Sequence, residues 1–167
     1  SSVFRYKAKF LQGWLATLGI SSISLIFSFL VGTIATVCYR SRFLPLKYLA
    51  NLYVELIRGT PLLVQIYLFF YVIANAADIQ NRYLVGVLIM AIFSGAYISE
   101  IFRAGIEGVG RSQLLSAKAI GFSEYQTFRY VIAPQALRSS LPALAGQTAN
   151  LIKDSSLLSI IAISEFT

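Results

Sequence analysis

Thirty consecutive residues, Phe10–Tyr39, carry no charged side chain. Lipid offers no partner to an open backbone, so a chain crossing it must close its own hydrogen bonds, and a helix needs about 20 apolar residues to do so. A signal peptide has an apolar region of only about 7–15 residues. The run therefore predicts a retained membrane helix near Leu15–Val37. The composition agrees: 57% of residues are hydrophobic, 13% are charged, and the mean hydropathy is +0.71. Soluble domains carry about 25% charged residues. Too few charges remain to cover a water-facing surface, and disorder, collagen and coiled coil are excluded on the same grounds.

Fourteen Lys and Arg stand against seven Asp and Glu, a net charge of +7. In a soluble chain that excess would suggest nucleic acid. In an apolar one it reads as basic loops on the inner side of a membrane, and no nucleic-acid partner is expected. Cys38 is the only cysteine, so an internal disulfide is impossible, and there is no histidine. The commonest metal ligand and general base is missing, and neither a metal site nor a catalytic residue is expected.

Further spans follow from the spacing of charge. Gly59–Ala77 is uncharged, and Pro45–Ile57 before it is mostly apolar. Pro45 suits a helix start, and Gly59 with Pro61 interrupts the pattern, so Leu46–Ile73 reads as one long bent element. Residues 75–81 form a short polar turn. Tyr83–Ser99 is the third uncharged run, with its helix continuing to about Ile106. Ala136–Ile161 reads as a fourth helix, bent or broken near the adjacent pair Lys153 and Asp154. Arg40, Arg42, Lys47, Arg103, Arg111, Lys118, Arg129 and Arg138 lie on one side of these spans, and Arg5, Lys7, Lys9 and Arg82 on the other. Eight against four predicts an external N-terminus and a cytoplasmic Arg103–Arg138 segment.

Gly108–Arg138 is too polar for a span and too patterned for a loop. Helix formers fill Ser112–Ile120, Gly121 sits where a C-cap glycine would, and Ser123-Glu124-Tyr125-Gln126 has the form of a capping box. Pro134 is expected to stop or kink the second helix. Two short helices with a glycine corner result. By itself this pattern fits an amphipathic surface helix or a docking element for a soluble partner.

The spacing of this segment resembles the cytoplasmic loop of permease subunits of ATP-binding cassette importers, whose signature runs Glu-Ala-Ala, three residues, Gly, nine residues, Ile-x-Leu-Pro. Gly121 and Pro134 fall in register. Leu115 stands at the position of the opening Glu, Ser116 at the first Ala, and Ala133 at the Leu before Pro. Glu55-Leu56-Ile57-Arg58-Gly59-Thr60-Pro61-Leu62-Leu63-Val64-Gln65 looks like the second-helix signature of the polar amino acid branch. Gly95–Ile106 is similar to its third helix and Leu151–Leu157 to its fourth.

The resemblance implies an all-α integral membrane bundle, with four spans visible of five and a cytoplasmic coupling helix between spans three and four. Residues 1–167 would be a single permease domain truncated at its C-terminus, with residues 108–138 as the coupling segment. The chain would be the membrane-spanning subunit of an ATP-driven importer in the bacterial inner membrane, a multi-pass transporter subunit and not an enzyme. No G-x-x-x-x-G-K-[ST] sequence occurs, so it would bind no cofactor. ATP and Mg would be used by two separate ATPase subunits. Further implied partners are an identical or similar second permease, an external substrate-binding protein, the lipid bilayer and a polar amino acid as cargo.

Within that frame Ser112–Phe122 would be the coupling helix, carrying Leu115, Ser116, Ala117, Lys118, Gly121 and Phe122. Charges at membrane depth are costly and tend to be functional, which singles out Lys153 and Asp154. Gln65, Tyr97, Glu100, Ser155 and Ser156 complete the candidates for the substrate pathway. Each has a structural alternative: Lys153 and Asp154 in a local network supporting a helix break, Gln65, Tyr97 and the serines in joining helices. Glu100 with Arg103 and Glu55 with Arg58 are spaced to pair i,i+3. Rival functions are a secondary transporter using Asp154 and Glu100 as ion sites, and a scaffold that uses residues 112–138 only to recruit a soluble protein.

Overall fold

A computed structural model describes the backbone of residues 2–68, 71–72 and 82–164, and the side chains of these apart from 16, 17, 63, 66, 82–84 and 156–164. The described residues form seven α-helices and one π-helical turn: α1 Ser2–Arg40, α2 Leu44–Gly59, α3 Leu62–Leu68, α4 Arg82–Glu107, α5 Arg111–Ala119, α6 Glu124–Thr127, the π turn Phe128–Ile132, and α7 Ala133–Ser164. The polar turn expected at 75–81 lies outside the described residues.

α4 is the centre of the bundle, packing against α1 on one side and α7 on another, with α2 alongside. Its middle is the most buried stretch: Ile89, Met90, Ala96 and Ile98 are each at most 1% exposed. The arrangement of α1 explains why it packs there. Ser21, Ser24, Ser28, Gly32, Ala35 and Thr36 recur at three- and four-residue intervals and are buried. Ile23, Ile26, Phe27, Leu30, Ile34 and Val37 lie on the outside. Small residues inside and large apolar residues outside is the reverse of a water-soluble helix. It suits a lipid solvent, where close backbone approach drives association.

The contact is reciprocal. A Cβ on Gly32 would come within 2.7 Å of Ile98 Cγ2, and one on Gly95 within 2.7 Å of Val31 Cγ1. Hydroxyls on this face bond locally: Ser28 Oγ donates to the Ser24 carbonyl at 2.6 Å and Thr36 Oγ1 to the Gly32 carbonyl at 2.7 Å. Tyr53 Oη of α2 donates to the Ile92 carbonyl of α4.

Among the described residues two helices are each long and apolar enough to cross a membrane unaided, α1 and residues Val85–Glu107 of α4. α7 is long enough at 32 residues, about 48 Å at 1.5 Å per residue, but carries polar side chains along its length. The second element is two helices and not one. Thr60 adopts an extended conformation (φ −113°, ψ 131°) and caps α2, because Pro61 disfavours helical geometry in the residue before it. The expected break at Lys153 does not occur: α7 runs through it without interruption, and Pro142 is accommodated inside the helix. Pro134 does not end the second short helix either. α6 passes through the π turn into α7, with the Ala133 N–H donating to the Phe128 carbonyl five residues back. The wider turn gives the missing proline N–H and the ring a place at the start of α7 without a break.

Candidate functional site

Two regions hold the candidate residues. The first is the α5–α6 segment. α5 ends in a Schellman cap: the Gly121 N–H donates to the Lys118 carbonyl at 3.1 Å and the Phe122 N–H to the Ala117 carbonyl at 3.0 Å. Gly121 has φ +87°, the left-handed geometry that costs other residues about 1–2 kcal/mol. Ser123 and Gln126 then form the expected capping box. Ala117, 3% exposed, is the buried point of α5. Leu115, Ser116, Lys118 and Gly121 face outward, and Phe122 is half-buried with its ring 6.2 Å from that of Tyr130.

The segment is tied to the bundle at two edges. Gln135 and Gln113 hydrogen-bond, joining α7 to α5. Arg42 meets Glu124 at 3.1 Å, and Arg40 lies over the Phe128 ring at 5.5 Å. The Arg42 pair is almost fully exposed and adds little stability, but it brings the α1–α2 loop and the α5–α6 segment to one end of the molecule.

The second region is a cavity of about 510 Å³ between α4 and α7, reached by Arg58 near the end of α2, with Tyr97, Glu100, Gly105, Gln135, Ser139 and Ser140 also on its wall. The helices nearly touch at Gly105, where a Cβ would fall 2.5 Å from Ser140 Oγ. Glu100 is gripped by Arg103 through both carboxylate oxygens and reached by Arg58 at 3.5 Å. Arg103 also contacts Glu107 at 3.4 Å. The expected Arg103–Glu100 pair is present. The expected Glu55–Arg58 pair is not: Arg58 turns across to α4, because a half-buried carboxylate there outcompetes the exposed Glu55 on its own helix. Tyr97 stacks obliquely on Phe93, ring centroids 5.1 Å apart. Ser140, 2% exposed, has a hydroxyl with no partner among the described residues.

The remaining candidates lie elsewhere. Gln65, 6% exposed, donates to the Ile57 and Thr60 carbonyls at 3.2 and 3.3 Å, bridging the break after α2. Ser155 and Ser21 share a hydrogen bond of 2.6 Å between α7 and α1. Lys153 is exposed and Asp154 half-buried, and they form no ion pair with each other among the described residues. The side chain of Ser156 lies outside the described residues.

Arg58, Gly105, Ser139 and Ser140 were not read from the sequence as members of one site. Two neighbouring serines and a glycine carry a signal of close helix approach, but not of which helices approach. The polar pair Gln147 and Ser94, 3.0 Å apart between α7 and α4, likewise has no pattern of its own.

Nearly the whole chain has relatives. An amino acid ABC transporter solved with histidines superposes with a TM-score of 0.87 at 35% identity, over 96% of this chain and 75% of that one. The probable glutamine ABC transporter permease protein GlnM of Bacillus subtilis is 35% identical, over 97% of this chain and 75% of its own length. The L-cystine transport system permease protein TcyB of the same organism is 36% identical, over 89% of this chain and 64% of its own length. The inward-facing methionine transporter MetNI shares the fold alone, with a TM-score of 0.69 at 16% identity, over 89% of this chain and 72% of that one. A sequence profile of the binding-protein-dependent transport system inner membrane component matches residues 28–167. The chain therefore belongs to that family of membrane transport components and is a transporter permease subunit, not an enzyme.

Proposed function

We propose that this chain carries a polar amino acid through the bacterial cytoplasmic membrane into the cell, using the closure of two separate ATPase subunits that bind ATP and Mg. The observation that carries the reading is the likeness to an amino acid ABC transporter over 96% of the chain, joined by the glutamine and cystine permeases. In this reading an external substrate-binding protein delivers the cargo, and a second, identical or similar permease completes the route. α1, α2 with α3, α4 and α7 are the four spans.

Residues 108–138 are the coupling segment on the cytoplasmic side. The contacts of Arg40 and Arg42 with this segment support that topology, since they gather the basic α1–α2 loop and the basic 103–138 segment at one end. Leu115, Ser116 and Lys118 offer outward side chains to an ATPase groove. Ala117, Gly121 and Phe122 hold the turn that presents them. Leu115 brings no charge where the family signature has Glu, so apolar contact takes its place. Tyr97 and Glu100 are the pathway residues on the cavity wall, with Lys153, Asp154 and Ser156 further along α7. Gln65 and Ser155 serve that pathway through the helix break and the α1–α7 joint they hold.

Uptake of labelled polar amino acids into vesicles containing the full-length protein, its ATPase and its binding protein tests the reading. Uptake that needs ATP hydrolysis and survives ionophores is expected; uptake driven by an ion gradient without ATP would overturn it. Gly121→Asp is expected to insert normally and to lose ATP-driven uptake. Normal uptake by that variant would remove the coupling role from α5.

A further inference from the structure

α1 presents an exposed apolar face through Ile23, Ile26, Leu30, Ile34 and Val37. In a membrane-spanning helix such a face meets acyl chains. Arg40 stands one turn beyond Val37, on the flank of this face, and is exposed. Ile23 to Arg40 covers about 26 Å at 1.5 Å per residue, close to the ~30 Å thickness of the hydrocarbon core. The guanidinium therefore lies at the depth of lipid headgroups. Phe43 and Leu44, 61% and 58% exposed, extend the apolar rim to the start of α2.

Arg40 does not simply project into water. It rests on the Phe128 ring, 5.5 Å from the centroid. The next residue of the π turn is Arg129, whose guanidinium lies over the Tyr130 ring at 5.6 Å. Beside them Arg42 is matched by Glu124. Neither Arg40 nor Arg129 has an acidic partner among the described residues. Three guanidinium groups thus stand against one carboxylate. Arginine offers a planar fork of donors that fits phosphate oxygens. Arginines backed by aromatic rings, with an apolar rim beside them, match a phosphodiester headgroup whose acyl chains run along α1. A soluble partner would reach the arginines but not Val37, one turn deeper in the bilayer.

We infer that Arg40 and Arg129 form a binding site for the phosphate of an anionic phospholipid in the cytoplasmic leaflet, with Phe128 between them and Val37 beside an acyl chain. The site straddles the joint between the α1–α2 loop and the α5–α6 segment. The bound lipid reinforces an edge that the exposed Arg42–Glu124 pair holds only weakly by itself. The inference goes beyond the transport reading, takes only its orientation from it, and does not depend on the cargo.

Native mass spectrometry of the assembled full-length transporter, permease with its ATPase, tests the site with phosphatidylglycerol and phosphatidylcholine as probes. The parent is expected to retain phosphatidylglycerol about tenfold more tightly than phosphatidylcholine. Arg40→Gln with Arg129→Gln should abolish most of that preference, a fall of about fivefold or more. Arg5→Gln with Lys9→Gln, exposed residues at the other end of α1, should leave it unchanged. Arg129→Gln alone serves should the double variant not assemble, with a fall of about threefold expected. An undiminished preference in either variant would overturn the inference. So would displacement of phosphatidylglycerol by inorganic phosphate at equal concentration, which would mark a site for free anions. Loss of the ATPase from the double variant with lipid retention unchanged would overturn it too, by assigning the surface to a protein. A failure of the transport reading appears instead in the uptake assay, with lipid retention unaffected.

Discussion

The α1–α4 and α4–α7 interfaces use the same materials and reach opposite results. Both rest on glycine at a point of closest approach, Gly32 and Gly95 in one and Gly105 in the other. Between α1 and α4 each glycine receives a branched apolar side chain of the other helix, Ile98 and Val31, and the seam closes. Between α4 and α7 the residue facing Gly105 is Ser140, and charged Glu100 and Arg58 stand beside it. Guanidinium and carboxylate groups hold water and cannot interdigitate as methyl groups do, so a cavity remains. Small residues permit approach; the chemistry of what meets them decides between a sealed seam and a wet cleft.

The largest effect should come from breaking the sealed seam. Gly95→Ile sets a branched side chain against Val31, with Tyr53 Oη 3.3 Å away. Overpacking of this kind costs about 1–3 kcal/mol or more, and we expect about 3 kcal/mol lost in a reversible detergent-unfolding titration. Gly105→Ala is the matching change at the wet cleft. Its Cβ meets a serine hydroxyl that can rotate toward the cavity and the Ala136 carbonyl at 3.0 Å. About 1–2 kcal/mol is expected in the same titration; a loss as large as that of Gly95→Ile would mean that the two seams are equally tight.

Glu100→Gln sharpens the comparison through function. It leaves Arg58 and Arg103 without their shared carboxylate, and a roughly tenfold fall in uptake, about 1.4 kcal/mol, is expected with insertion unchanged. The smallest effect belongs to the two unpaired hydroxyls. Ser24 lies on the buried face of α1, so Ser24→Ala removes an unsatisfied group and should be neutral or stabilising by up to about 1 kcal/mol. Ser140→Ala should behave alike, within about 1 kcal/mol of the parent, because its hydroxyl oxygen is buried and unpaired as well.

Some of this site could be read directly from the residues. The Gly121 corner and the Ser123–Gln126 box were legible because caps are local: each hydrogen bond spans five residues or fewer. The Glu100–Arg103 pair was legible for the same reason. Arg58 was not, since its nearer neighbour Glu55 offered an equally plausible partner and only the packing of α2 on α4 brings Glu100 within reach. The expected break at Lys153 rested on charge at membrane depth, and the continuous helix shows that an outward-facing charge does not need one. Gln65 and Ser155 were read as either cargo ligands or helix joiners, and their bonds across the break and between helices became visible only in three dimensions.

By itself the sequence determined that the chain is helical and suited to lipid, where its long apolar runs lie, which end gathers the basic residues, and how the short segment between α4 and α7 turns. These follow from backbone hydrogen bonding, hydropathy and caps, all properties of neighbours along the chain. The tertiary structure alone decided which small-residue face meets which helix, where a carboxylate finds its second arginine, and which seam stays open. Those outcomes depend on shape and charge meeting across helices up to 134 residues apart, as in the Ser21–Ser155 bond, and no local pattern carries that information.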